Sequence, residues 1–254
     1  MASSDRQIVF FDILSKEGVG PWSPNTWKTR LSLNYKGVPY TTQFVSYPDI
    51  KPRMEAIGAA LGYSDPAHGG DVYTLPVIQD GDAVVVESVK IALHLDANHP
   101  GPQLFPPGTR ALQFAFLRWH GVTVFSAVGD ICCVASADIV DARGEAYMRR
   151  TRAEWYGKPL EEWVTDRAAG WERIREAYTK LAAVYARADE EFGQQDAWLM
   201  GEQPTFADFV VAACLLWIKK VIRVPGEGWE NVRLWDGGRW DRFLKKCAPY
   251  MRED

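Results

Sequence analysis

Cysteine is scarce in this chain of 254 residues, and the four present, Cys132, Cys133, Cys214 and Cys247, form no C-x-x-C motif. An adjacent pair cannot act as a spaced zinc knuckle, so reduced thiols packed mostly in a core are expected, and no metal site. The four histidines, His68, His94, His99 and His120, show no H-x-x-x-H or comparable ligand spacing. His68 reads as an exposed turn residue. Basic residues are not in excess either. Twenty-nine Lys plus Arg against thirty-three Asp plus Glu leave a net charge of −4, which disfavours a nucleic-acid partner. Long apolar runs are missing: Phe209 to Ile218 spans only ten residues between Asp208 and Lys219. That is too short for a bilayer and reads as a buried helix, so no membrane partner is expected. Met1 to Asp5 carries no basic region and Ile8 to Phe11 is too short for a signal segment, so a cytoplasmic protein is expected. No internal repeat is visible.

What is present is globular in composition, with 47% hydrophobic and 24% charged residues, in a length that suits one or two compact units with a real core. Gln7 to Asp12 has the β-branched and aromatic profile of a buried strand. Ser23-Pro24 supplies an N-cap and a first-turn proline. Trp27, Arg30, Leu31 and Leu33 follow with helical spacing, and Lys36-Gly37 ends the helix. Tyr40 to Val45 reads as a second strand. From Ser46 to Asp71 the chain is rich in Pro, Gly, Asp and Tyr, a ligand-facing kind of connection with a short helix predicted over Met54 to Leu61. Leu75 to Ile78 and Ala83 to Val86 flank Asp80-Gly81-Asp82 as a hairpin, and Glu87-Ser88 opens a helix through Val89, Ile91, Ala92 and Leu95. Prolines and glycines at 99–108 mark a boundary, beyond which the pattern is helical. Leu112, Phe116, Trp119 and Thr123 step by three or four, Val164 to Phe192 is long and amphipathic, and Thr205 to Asp208 forms a capping box ahead of the apolar helix.

This order of elements resembles the cytosolic glutathione transferases over nearly the whole chain. The carriers are Ser23 at the first helix, Leu75-Pro76 before the hairpin, Glu87-Ser88 at the third helix and the Thr205 to Asp208 box. Ser23 to Thr29, Pro76 to Ile78 and Trp198 to Asp208 look like two groups in particular: the bacterial glutathione-dependent β-etherases and the fungal-specific class A transferases, with the serine favouring the latter. The resemblance implies a thioredoxin-like α/β domain at residues 1–105 and an all-α helical bundle at residues 106–254. It implies glutathione as co-substrate and a homodimer.

On that resemblance, Leu75 pairs its main chain with the cysteinyl backbone of glutathione beside a cis-Pro76. A trans proline beginning a strand is the alternative. Glu87 takes the γ-glutamyl ammonium and Ser88 its carboxylate, unless Ser88 is simply an N-cap. Lys51 is favoured for the glycyl carboxylate over Gln43 and Arg53. Ser23 donates its hydroxyl to the glutathione thiolate with Asn25 and the helix N-terminus assisting, unless that hydroxyl is consumed in capping. No tyrosine lies between Ile8 and Asn34 and the first cysteine is Cys132, which disfavours tyrosine-activated and thiol-transfer chemistry. Aromatic residues are abundant, and Trp119, Phe125, Trp155, Tyr156 and Trp217 fall in helices that, by resemblance, surround an acceptor cleft. They suit small aromatic or phenolic partners. Two functions stay open at this point: thiolate attack on aromatic electrophiles, possible β-aryl ether cleavage included, and ligandin-type binding of polyphenols or other wood-derived aromatic compounds.

Overall fold

A computed structural model of the chain describes residues 7–65 and 70–253; His68 lies outside them. Strand β1 (Ile8–Ile13) occupies the centre of a four-stranded sheet. It pairs in parallel with β2 (Tyr40–Val45) and antiparallel with β5 (Val77–Asp80), which in turn pairs with β6 (Ala83–Val86). A strand flanked on both edges is buried on both faces, which explains why Ile8, Phe10, Phe11 and Ile13 are all apolar and enclosed. Helix α1 (Pro24–Lys36) crosses between β1 and β2. It starts at the Ser23 cap and stops at Gly37, whose φ of 65° places it in the left-handed region.

Arg30 sits in the expected buried stripe of α1 as a charged member of it. Its guanidinium, enclosed by the Phe10, Trp27 and Tyr40 rings, meets Asp12 Oδ2 at 2.9 Å with both side chains fully buried. Burial pushes the Asp12 carboxyl up while Arg30 pulls it down.

The connection after β2 differs from its reading in sequence. Its helix is α2 (Ile50–Ala56), earlier than the predicted 54–61, and a small antiparallel pair follows, β3 (Tyr63–Asp65) with β4 (Gly70–Val72). Pro52 falls in the first turn of α2, where a missing N–H costs nothing, and Gly58 with φ 68° ends the segment before Leu61.

After α3 (Ser88–Asn98) the described residues form helices joined by turns. They are α4 (Arg110–His120), α5 (Ser126–Ala137), α6 (Ala142–Tyr156), α7 (Arg167–Phe192), α8 (Phe206–Val221), α9 (Trp229–Val232) and α10 (Trp235–Cys247). A π-turn at Gly121–Phe125 joins α4 to α5. The resulting helical stretch, residues 110–137, is long and apolar enough by composition to cross a membrane. Its Gln113, His120 and Ser136 are buried against neighbouring helices, so it serves as a wall of the bundle. The inward face of α4 also differs from expectation. Leu112 is 60% exposed, while Gln113 is buried and ties Leu104 O, Thr109 Oγ1 and Ala207 N together. The apolar helix α8 is buried along nearly its whole length and packs against α1, uniting the α/β half with the helical half.

At its start, Asp208 accepts from Thr205 N (2.8 Å) and Thr205 Oγ1 (2.9 Å) on one oxygen. The other oxygen accepts from Tyr185 Oη and Leu199 N, both at 2.9 Å. The capping box therefore also ties α7 and the 198–201 turn to α8.

Candidate functional site

Two adjoining hollows meet at the carboxyl end of β1. One is a polar cleft of about 480 Å³ and the other an aromatic cavity of about 440 Å³, and Ile13, Asn25, Tyr47, Arg152 and Trp155 line both. Each falls within the size range of small-molecule sites.

Ser23 is buried on the aromatic side of the junction. Its Oγ accepts from Asn25 N at 3.3 Å, a long capping bond. Capping uses an oxygen lone pair and leaves the hydroxyl proton free to donate, so the cap does not consume the hydroxyl. Asn25, exposed at the mouth, accepts from Lys28 Nζ at 2.8 Å. Lys28 is a site residue that sequence reasoning missed. Burial lowers it to about 8, with nearby Glu87 acting in the opposite direction.

Leu75 and Lys51 both line the polar cleft. The Leu75–Pro76 peptide bond is cis, and Leu75 precedes the first ladder residue, Val77. Its main chain therefore lies outside the sheet. Glu87 has φ 80° and ψ 126°, a conformation that side chains other than glycine rarely adopt and one that recurs at ligand sites. It is Glu87 that occupies the N-cap of α3, without a side-chain capping bond, and Ser88 is the first helical residue. Ser88 lines a smaller hollow of about 210 Å³ that Asn25 and Lys28 share.

Gln43 is placed elsewhere. Its Oε1 accepts from Arg53 Nη2 at 2.8 Å, and both line a separate hollow beside Asp49 and Arg143. Of the three residues weighed for the glycyl carboxylate, Lys51 is the one in the polar cleft. The alternation of β2 directs Gln43 to the side on which Arg53 waits, a pairing that one sequence position cannot reveal.

On the aromatic side, Phe125 stacks on Trp217 with ring centres 5.5 Å apart and planes 24° apart. Trp217 Nε1 donates to Ser136 Oγ at 2.9 Å, fixing the indole. The π-turn presents Phe125 here, as such bulges often do at functional sites. Trp155 and Tyr156 line the cavity as well. Trp119 does not; it packs on Phe116 at 5.8 Å.

Arg152 and Tyr47 are further omissions of the sequence reading. The Arg152 guanidinium lies 4.4 Å from the Trp155 ring centre and 5.7 Å from that of Tyr47. Only the general character of the 46–71 connection pointed to Tyr47, and nothing pointed to Arg152. Burial pushes the Tyr47 hydroxyl up to about 12 and raises the Cys133 thiol, so neither is an anion at neutral pH. The indole N–H groups of Trp22 and Trp163, two more lining residues, are buried and have no hydrogen-bond partner among the described residues.

Comparison with known proteins gives the same architecture. Residues 22–98 match the family model described as glutathione S-transferase, N-terminal domain, and residues 111–250 the model for its C-terminal domain. The chain is 36% identical over 231 residues to the glutathione S-transferase-like protein ustS of Aspergillus flavus, covering 85% of this chain and 81% of that one. Among solved structures, CsGST63524 of Ceriporiopsis subvermispora in complex with glutathione superposes with a TM-score of 0.88 at 35% identity, over 97% of this chain and 98% of that one. GSTFuA3 of Phanerochaete chrysosporium gives a TM-score of 0.89 at 36% identity, over 98% of each chain. With both family models matched in order along one chain, and a relative of this similarity, the protein belongs to the glutathione S-transferase family.

Proposed function

We propose that this transferase binds glutathione in the polar cleft, stabilises its thiolate with the Ser23 hydroxyl, and directs it at aromatic electrophiles held in the adjoining cavity. The observation that carries this reading is the placement of Ser23 and Asn25. They sit at the N-terminus of α1, where the two hollows join. A hydroxyl is too weak an acid to take the thiol proton, but it donates well to the sulfur anion, and the positive end of α1 acts in the same direction. Each pKa unit gained corresponds to about 1.4 kcal/mol, and one to two units below about 8.5 make thiolate the main form near neutral pH.

Within the cleft, Lys51 serves the glycyl carboxylate and the Leu75 main chain the cysteinyl backbone, while Glu87 and Ser88, beside the smaller hollow that Asn25 also lines, serve the γ-glutamyl group. Residues 1–105 supply most of this half and residues 106–254 most of the acceptor walls. Phe125 and Trp217 offer flat apolar area against which an aromatic ring can lie. Likeness to GSTFuA3 and CsGST63524 supports the fungal class A reading. In the etherase version a C–S bond forms at the carbon beside a ketone while the C–O bond breaks, and the aryloxide departs with its electron pair. The protein positions the partners and forms no covalent bond of its own. A homodimer is the assembly this family likeness favours.

The same aromatic lining favours a second reading, a ligandin that holds polyphenols with little turnover. The two are separated by assaying a β-aryl ether ketone and an isothiocyanate with wild type and Ser23→Ala. Turnover by wild type that falls at least tenfold in Ser23→Ala supports the enzyme. Polyphenol binding with no turnover by either protein supports the ligandin.

A further inference from the structure

Asp80, His94 and His99 converge at the end of the sheet remote from the ligand cleft. Strand β5 runs from the cleft at Leu75 to Asp80. Helix α3, eleven residues long, runs away from Ser88, so His94 and His99 lie about 9 Å and about 16 Å from Ser88 along its axis at 1.5 Å per residue. There, His94 Nε2 and His99 Nε2 each approach the same Asp80 Oδ2 at 2.7 Å. The donor atoms of the three residues lie within 4.8 Å of one another. We propose that these residues form a divalent transition-metal site, with Zn²⁺ the best-suited ion, bound through two imidazoles and one carboxylate. This goes beyond the proposed transferase function and does not depend on it.

Four observations support a metal site over a simple hydrogen-bonded clamp. Two imidazoles, one in the second half of α3 and one at its C-cap, present the same ring nitrogen to one point, the arrangement a shared ion requires. Tetrahedral zinc with ligand distances of about 2.0–2.2 Å needs donors about 3.3 Å apart. Opening the 2.7 Å contacts by about 0.6 Å reaches that geometry, within the range of a carboxylate rotation. Asn98 meets His94 Nδ1 at 3.2 Å and His94 O at 2.9 Å. The Asn98 amide nitrogen donates to His94 O, which holds Asn98 against the ring and fixes the imidazole beside Asp80. Finally, the three side chains are 12–19% exposed, enough for an ion to enter and for water to complete its shell. The nearby Lys36 ammonium is engaged by Asp96 and Pro102 O. Imidazole donors favour zinc, cobalt or nickel over magnesium or calcium.

The test is calorimetric titration of Zn²⁺ into the chelator-treated full chain without glutathione, with Co²⁺ as a spectroscopic probe. The expected result is one ion per chain, the intense visible bands of tetrahedral Co²⁺, and a zinc-dependent rise in Tm. His94→Gln, His99→Gln and Asp80→Asn each weaken zinc binding at least tenfold, while glutathione binding is unchanged. The two histidine variants are read separately, so loss of fold in one leaves the other as the test. Absence of binding at ~100 µM Zn²⁺, or wild-type affinity in the folded variants, overturns the proposal.

Discussion

Replacing Asp208 with asparagine removes one acceptor oxygen from a buried group on which four donors converge. Thr205 N and Oγ1 share one oxygen, and Tyr185 Oη and Leu199 N share the other. Whichever way the amide turns, its NH₂ group faces two donors. Hydrogen bonds to a charged acceptor are worth about 1.5–3 kcal/mol each, so two of them amount to ~3–6 kcal/mol. Relief from burying the charge offsets part of this and leaves a net loss of about 3 kcal/mol. That is a large share of the ~5–15 kcal/mol stability of an ordinary domain. Tyr185→Phe deletes a single donor, leaves its oxygen bonded to Leu199 N, and is expected to cost about 1.5 kcal/mol. Equilibrium urea unfolding followed by tryptophan fluorescence measures both. The reasoning is refuted if Asp208→Asn costs less than ~1 kcal/mol or no more than Tyr185→Phe. The functional stake is that α8 carries Trp217 and packs on α1, which carries Asn25.

Two more perturbations probe other parts of the molecule. Phe125→Ala removes the ring stacked on Trp217 and is expected to raise KM for an isothiocyanate about tenfold (~1.4 kcal/mol), with calorimetry showing unchanged glutathione affinity. Glu227 receives hydrogen bonds from Arg167 and Trp171 that hold its carboxyl below 4.5, the first and larger effect being Arg167. A folded-state value below the unfolded one stabilises above about pH 4.5, and that stability is lost as pH falls through the folded value. Glu227→Gln therefore lowers Tm at neutral pH and converges with wild type in acid, as thermal unfolding across the pH range will show.

Local chemistry made much of the fold legible. Ser23-Pro24 and Gly37 bound α1 because caps act within a few residues, and the amphipathic run from Val164 to Phe192 becomes α7. The hairpin around Gly81-Asp82 and the Thr205 to Asp208 box are also short-range. What escaped depends on tertiary partners. Arg30 falls in the stripe expected of it, but its neutralising partner Asp12 comes from another element and could not be read locally. Gln113 replaces Leu112 on the buried face because Leu104 O, Thr109 Oγ1 and Ala207 N await it. The β3–β4 pair is too short to show a periodicity.

At the site the same division holds. Ser23, Asn25, Lys51, Leu75, Phe125 and Trp217 line the two hollows from positions the sequence had singled out. Gln43 and Trp119 turn to other neighbours, Tyr47 and Arg152 join only through folding, and Lys28 lines the smaller hollow beside Asn25. Asp80, His94 and His99 stand 14 and 5 positions apart in sequence and meet only because the β5–β6 turn reaches the end of α3.

The most direct test is the ultraviolet titration of the glutathione thiol on the wild-type protein, compared with free glutathione and with Ser23→Ala. A bound thiol that ionises about one to two units lower than in solution, with much of that shift lost in Ser23→Ala, is the predicted result. A bound thiol that ionises at its solution pH would contradict the account.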